Sequence, residues 1–153
     1  MKVCIGGTFN LIHKGHKLLI DKAFTIAGKK GLVFIGLSKG KLLDEKKNAK
    51  SWNKREGNLK KYIEEKKYKS DFVIKALYDI YGPTTKEDFD VIVVSKETKK
   101  NARIINEKRI SINKKPMKVV VIPYINAEDG KPISSTRIKE GKIDLNGNLI
   151  EGK

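Results

Sequence analysis

One stretch, VCIGGTFNLIHKGHKLLI from Val3 to Ile20, leaves few folds open to this chain. Val3, Cys4 and Ile5 form a short apolar run with no polar alternation, the pattern of a strand buried on both faces. Gly6 and Gly7 end it, and glycine lets the backbone turn sharply or approach a ligand closely. Apolar residues then recur at Leu18, Leu19, Ile20, Ala23, Phe24 and Ala27, which predicts a helix beginning near Gly15. A buried strand running through a glycine turn into a helix calls for a parallel sheet covered by helices. The polar residues Thr8, Asn10, His13 and His16 all fall in the turn or the first helical coil.

The rest of the chain repeats the alternation. Further strands are predicted at Leu32–Leu37, Asp71–Tyr78, Phe89–Val94 and Met117–Ile122, with helices between at about Asn53–Tyr68 and Lys96–Ile112. Leu59, Tyr62 and Ile63 are expected on the inner side of the first of these helices. Ala102, Ile104, Ile105 and Ile110 are expected partly toward the sheet on the second. The lysine-rich segment Ser38–Ser51 reads as a mobile connection, and Gly82-Pro83 as a break. A short helix is expected to start at Ser134-Ser135-Thr136, because hydroxyl side chains cap helix starts. Asn146-Gly147, set between Ile143/Leu145 and Leu149/Ile150, suggests a hairpin or a frayed tail over residues 141–153. The expectation is a single three-layer α/β domain spanning residues 1–153, with no internal repeat.

At 153 residues the chain can build one sizeable core. Its 34 basic and 18 acidic groups give a net charge of +16. Such a balance attracts polyanions, either nucleic acid or small phosphorylated substrates. Basic residues are spread along the chain and aromatics reach only 7%, so no stacking platform for bases is visible. Steering of small polyanions over a lysine-rich, soluble surface is the preferred reading, and a nucleic-acid partner is not expected. No apolar run is long enough to span a membrane. A lone cysteine, Cys4, and the lack of a visible signal peptide point to a reducing cytoplasm. Mid-strand, Cys4 is expected to be inert core rather than a nucleophile.

In an open parallel sheet the ligand sits beyond the carboxyl ends of the strands, where strand order reverses. The unusual polar clusters fall in those segments. His13-Lys14-Gly15-His16 places two imidazoles three positions apart, on one face of a helical turn. They can donate to a phosphate and stabilise charge that grows in a transition state. Zinc is the rival reading, but these are the only two histidines in the chain and no third ligand of the usual kind lies nearby. Ile133-Ser134-Ser135-Thr136-Arg137-Ile138 is the second cluster. Three hydroxyls at a helix start followed by an arginine would hold pyrophosphate oxygens. Weaker candidates are Lys39 and Lys41 after the second strand, Arg55, whose guanidinium can fork onto phosphate, and Ser95 and Glu97 after the fourth strand. Thr8 could orient an incoming nucleophile. No GxGxxG, GxxxxGK[ST] or GxSxG motif occurs, which weighs against dehydrogenases, P-loop enzymes and α/β-hydrolases.

Taken together, GGTFNLIHKGH and ISSTRI resemble the HxGH nucleotidyltransferase superfamily. Within it the chain is similar to the archaeal and eukaryotic-type phosphopantetheine adenylyltransferases, supported by Val93–Thr98 (VVSKET) and by Gly130-Lys131-Pro132 leading into ISSTRI. Asn10, where Asp is usual, and Trp52, where a tyrosine-like residue is commoner, depart from the pattern. The resemblance implies a Rossmann-like sheet of five parallel strands in the order 3-2-1-4-5. It implies transfer of the adenylyl group of ATP to 4′-phosphopantetheine, giving dephospho-coenzyme A and pyrophosphate, with Mg²⁺. No protein-ligated metal site is expected, and the sequence leaves the oligomeric state open, a monomer included.

By the same resemblance, His13 and His16 would contact the ATP phosphates, with His16 nearest the α-phosphate. Gly6, Gly7, Thr8 and Phe9 would form the adjoining turn, and Thr8 would lie by the attacking phosphate. Ser134, Ser135, Thr136 and Arg137 would clasp the β- and γ-phosphates, while Arg55, Ser95 and Glu97 would complete the nucleotide site. The catalytic set would be His16, His13, Thr8 and Arg137. Other members of the superfamily, such as glycerol-3-phosphate cytidylyltransferase, FAD synthetase and nicotinamide mononucleotide adenylyltransferase, share both motif types. Acceptor choice separates them. A basic nucleic-acid-binding module, the reading from charge alone, would release no pyrophosphate.

Overall fold

The protein is described by a computed structural model that covers residues 1–43 and 49–150. Five parallel strands, β1 (Lys2–Gly7), β2 (Leu32–Ser38), β3 (Asp71–Leu77), β4 (Val91–Val94) and β5 (Lys118–Val121), form one sheet in the order β3-β2-β1-β4-β5. This is a Rossmann-like fold with the strand order expected. Helices α1 (Lys14–Ala27), α2 (Trp52–Lys66), α3 (Lys99–Ser111) and α4 (Ser135–Lys139) connect or follow the strands. Gly40–Leu43 and Gly82–Thr85 form 3₁₀ turns. No helix among the described residues is long and apolar enough to cross a membrane.

The sheet buries two apolar layers. On one face Val3, Ile5, Val33, Ile35 and Leu37 pack against Ile20, Ala23 and Phe24 of α1 and Leu59 and Ile63 of α2. On the other, Cys4, Phe34, Ile92 and Val94 pack against Ala102 and Ile105 of α3. The side-chain period of two along each strand sends alternate residues to opposite faces, so both layers are fed by one apolar run. Each fully buried aliphatic side chain contributes roughly 1.5–3 kcal/mol. Cys4 lies against Met117 at 3.8 Å, and burial pushes its thiol up to about 12, so it is no nucleophile at neutral pH.

Two expectations about packing need correction. Ile110 does not face the sheet; it is 57% exposed, and its neighbour Arg109 is buried instead. Arg109 donates from Nε to Lys115 O and from a terminal nitrogen to Thr84 O and Glu87 O, so α3 turns a guanidinium inward to fasten the loops around it. The connection Ser38–Ser51 is ordered at its start as the 3₁₀ turn. Residues 44–48, and the side chain of Lys41, lie outside the described residues. At the C-terminus the hairpin reading fits: Ile143 pairs with Leu149 in an antiparallel bridge, and Asp144 N–H donates to Asn148 O. Ile143 joins Ala127 and Ile133 in a third, small core that supports the loop entering α4.

Candidate active site

Strand order reverses between β1 and β4, and a cleft of about 900 Å³ opens at their carboxyl ends. Gly6, Gly7, Thr8, Phe9, His13, His16, Ser95, Glu97, Ser134, Ser135 and Thr136 all line it. The two clusters, more than a hundred residues apart in sequence, therefore meet in one space.

The geometry of the histidines follows from how α1 starts. His13 is the N-cap, and its Nδ1 accepts from the backbone N–H of Gly15 at 3.0 Å. His16 reciprocates: its Nδ1 accepts from the backbone N–H of His13 at 3.4 Å. This is a capping box built from two imidazoles where a Ser/Thr and a Glu usually serve. Because an accepting Nδ1 carries no proton, the neutral ring must carry it on Nε2, at the opposite edge. The rings stack with centroids 3.9 Å apart and planes 19° from parallel. Two Nε2–H donors thus stand side by side at a helix entry. Burial holds His13 at a pKa of about 4, against an ordinary 6.5, so it is a neutral donor at physiological pH.

Gly15 is required by this arrangement, since a Cβ there would meet the His13 ring at 2.9 Å. Phe9 holds the pair from beneath, with its ring centroid 5.0 Å from that of His16 and only 1% of its surface exposed. Its φ of +46° is a left-handed conformation that costs an L-residue roughly 1–2 kcal/mol. Such strain persists where the surroundings fix it, commonly at a site.

Across the cleft, Ser134 caps α4 by accepting from Arg137 N–H at 3.2 Å. Ser134, Ser135 and Thr136 line the cleft from this corner. Ser95 and Thr98 contact each other through their hydroxyls at 3.1 Å at the end of β4. Glu97 is the single carboxylate among the described cleft residues.

Two arginines expected at the ligand turn elsewhere. Arg55, 1% exposed, donates to Lys50 O at 2.8 Å, Thr8 O at 3.1 Å and Ser38 O at 2.9 Å. It fastens the backbone of the β1–α1 turn to the end of β2 and the entry of α2, instead of forking onto phosphate. Arg137 pairs with Asp129 and donates to Lys131 O and Pro132 O, bracing the loop before α4 from outside the cleft. Lys139, passed over in the sequence, lines the cleft in its place. The signal was available: Lys139 sits four residues after Ser135 and shares its helix face, whereas Arg137 sits two residues on, across the helix. Asn101 and Tyr124 also line the cleft. Asn10 accepts from Lys50 N–H at 2.7 Å, and Trp52 donates its indole N–H to Leu37 O at 3.1 Å; both are ties between loops. Lys39 lies over the Trp52 ring, 5.4 Å from its centroid.

Comparison with known proteins identifies relatives of the whole chain. The cytidylyltransferase-like family model matches residues 4–141. A phosphopantetheine adenylyltransferase from Methanosarcina acetivorans is 46% identical, over 97% of this chain and 95% of its own length. One from Archaeoglobus fulgidus is 40% identical, over 98% of this chain and 100% of its own. Among solved structures, an Archaeoglobus fulgidus protein of unknown function superposes with a TM-score of 0.72 at 34% identity, covering 80% of this chain and 89% of that one.

Proposed function

The chain belongs to the cytidylyltransferase-like family of nucleotidyltransferases, and from that premise we propose that it transfers the adenylyl group of ATP to 4′-phosphopantetheine. The products are dephospho-coenzyme A and pyrophosphate. The observation that carries the reading is the stacked imidazole pair, with both Nδ1 atoms engaged by the α1 backbone, lining one cleft together with Ser134, Ser135 and Thr136. Relatives named phosphopantetheine adenylyltransferase, matched over nearly their full length, support the acceptor.

In this mechanism an oxygen of the acceptor phosphate attacks the α-phosphorus of ATP in line. The new O–Pα bond forms as the Pα–O bond to the β-phosphate breaks, and its electron pair leaves with pyrophosphate. The attacking oxygen is already anionic, so neither a covalent protein nucleophile nor a strong base is needed. What the chain supplies is position and charge stabilisation. His13 and His16 donate Nε2–H to the α-phosphate, where negative charge spreads in the transition state. Thr8, which follows β1 and lines the cleft, is assigned the orienting of the acceptor phosphate. Ser134, Ser135 and Thr136 hold the β- and γ-phosphates by hydroxyl and amide donors, with Lys139 adding the cation first assigned to Arg137.

Mg²⁺ would arrive with the nucleotide, neutralising charge on the leaving pyrophosphate, because this ion prefers substrate phosphates and few carboxylates. Glu97, which lines the cleft, would hold one of its waters. The proposed setting is the cytoplasm, and ATP and 4′-phosphopantetheine are the partners. A test incubates the purified chain with ATP or CTP and a panel of acceptors (4′-phosphopantetheine, glycerol 3-phosphate, flavin mononucleotide, nicotinamide mononucleotide) and follows pyrophosphate. Release is expected with ATP and 4′-phosphopantetheine. Faster release with another pair would reassign the substrate within the family.

A further inference from the structure

The opposite end of the sheet carries a second surface that the reaction does not use. β5 is an edge strand with β4 as its only neighbour among the described residues. Lys118 N–H donates to Asp90 O and Ile122 N–H to Val94 O. In a parallel ladder the bonded residues alternate, so Lys118, Val120 and Ile122 face β4, and the amides and carbonyls of Val119 and Val121 face the open edge. The side chains of these same two valines are exposed, at 38% and 41%. With Ile110 and Pro116 they line an apolar groove of about 570 Å³ between β5 and the outer side of α3. The helix side of the groove carries Lys99, Lys100 and Arg103, with Glu107 as the one acidic group.

An open edge, an apolar floor and a cationic wall together define an occupant. We propose that this groove docks an acidic, extended segment of a partner protein, which adds to the sheet as a sixth strand beside β5. Its backbone pairs with Val119 and Val121, alternate apolar side chains enter the groove, and its carboxylates meet Lys99, Lys100 and Arg103. A second copy of this chain is the poorer fit. Pairing two such edges sets three cations and one anion against the same set, in a chain whose net charge is already +16. The inference stands apart from the reaction assigned above, because none of these residues lines the cleft.

The test uses full-length protein and a fluorescein-labelled probe, acetyl-Asp-Val-Asp-Ile-Asp-Val-Glu-amide, with fluorescence anisotropy as the readout. Saturable binding is expected, weakened at least about tenfold by the variant K99E/R103E, a factor worth about 1.4 kcal/mol. Val119→Pro removes an outward amide and leaves the β4 ladder intact, since proline is tolerated where the N–H faces away from the sheet. It should weaken the probe to a similar degree while adenylyl transfer is unchanged. Methylating alternate amides of the probe tests the same pairing without touching the protein. No binding, or binding indifferent to both V119P and methylation, overturns the proposal. So does sedimentation showing a dimer that K99E/R103E disperses, or a preference for RNA over the peptide at matched salt.

Discussion

In the proposed mechanism His13 has two jobs, and one substitution separates them. As N-cap it accepts from Gly15 N–H at 3.0 Å; as the proposed donor it would offer Nε2–H to the nucleotide. An asparagine at position 13 can still accept from that amide through its side-chain oxygen, because Asn is among the best N-caps. It is too short to put a donor where Nε2 stands. Cap loss in His13→Ala should cost about 1 kcal/mol, lowering Tm by roughly 2–4 °C for a chain of this size. His13→Asn should stay within about 0.5 kcal/mol of the parent on this account. Loss of one preorganised donor at a transition-state oxyanion costs about 10²–10³ in turnover. The two variants should therefore differ in stability yet share a fall in kcat of about 100-fold or more. The assays are urea unfolding at pH 7.5 and steady-state pyrophosphate release. If H13N retained near-parental kcat, His13 would be a helix cap and nothing more, and the phosphate-donor argument would fail.

Other consequences can be checked singly. His13 has a folded pKa of about 4 and an ordinary value of 6.5, so between these pH values the unfolded chain binds the proton and the folded one does not. Its contribution to stability is complete above pH 6.5 and is lost as pH falls toward 4, amounting to at most about 2 kcal/mol at pH 5. H13N should flatten that part of the urea-midpoint profile; an unchanged profile would show that His13 is not buried neutral. Arg55→Lys keeps the charge but cannot reach three carbonyls, so stability should drop by about 2–3 kcal/mol and the KM for ATP should rise. A KM and a melting point both at parental values would discount the clamp. Lys139→Ala should weaken ATP binding about tenfold with no change in melting temperature, whereas Arg137→Ala should lower both through the loop it braces. The reverse ranking would restore Arg137 as the phosphate ligand.

The parts of the fold legible in the sequence were those governed by local pattern. Val3–Ile5 and Leu32–Leu37 announced buried parallel strands because no polar residue interrupts them, and Ser134 announced a helix start because hydroxyls cap. That His13/His16 and Ser134–Thr136 both fall at carboxyl ends of strands was legible from the alternation of strands and helices, while the strand order that brings those ends together came from the family resemblance. What escaped was the direction of long side chains. Arg55 looked like a ligand group, and nothing in the spacing marked Arg109 for burial, since an arginine is seldom fully buried. Each is buried where three backbone carbonyls converge on its guanidinium, a tertiary fact with no signature in spacing. Ile110 was misjudged for the same reason, as Arg109 took the inward position on α3. That Lys139 lines the cleft, and Arg137 does not, was a matter of helix phase that the spacing from Ser135 could have resolved.

The central claim is that one triphosphate is gripped at once by the two early imidazoles and the late hydroxyl cluster. A crystal structure of the full chain with the unreactive α,β-methylene analogue of ATP tests it most directly. The account predicts Nε2 of His13 and His16 within hydrogen-bonding distance of α-phosphate oxygens, and Ser134–Thr136 on the β- and γ-phosphates of the same molecule. A nucleotide bound with its triphosphate away from either cluster would contradict it.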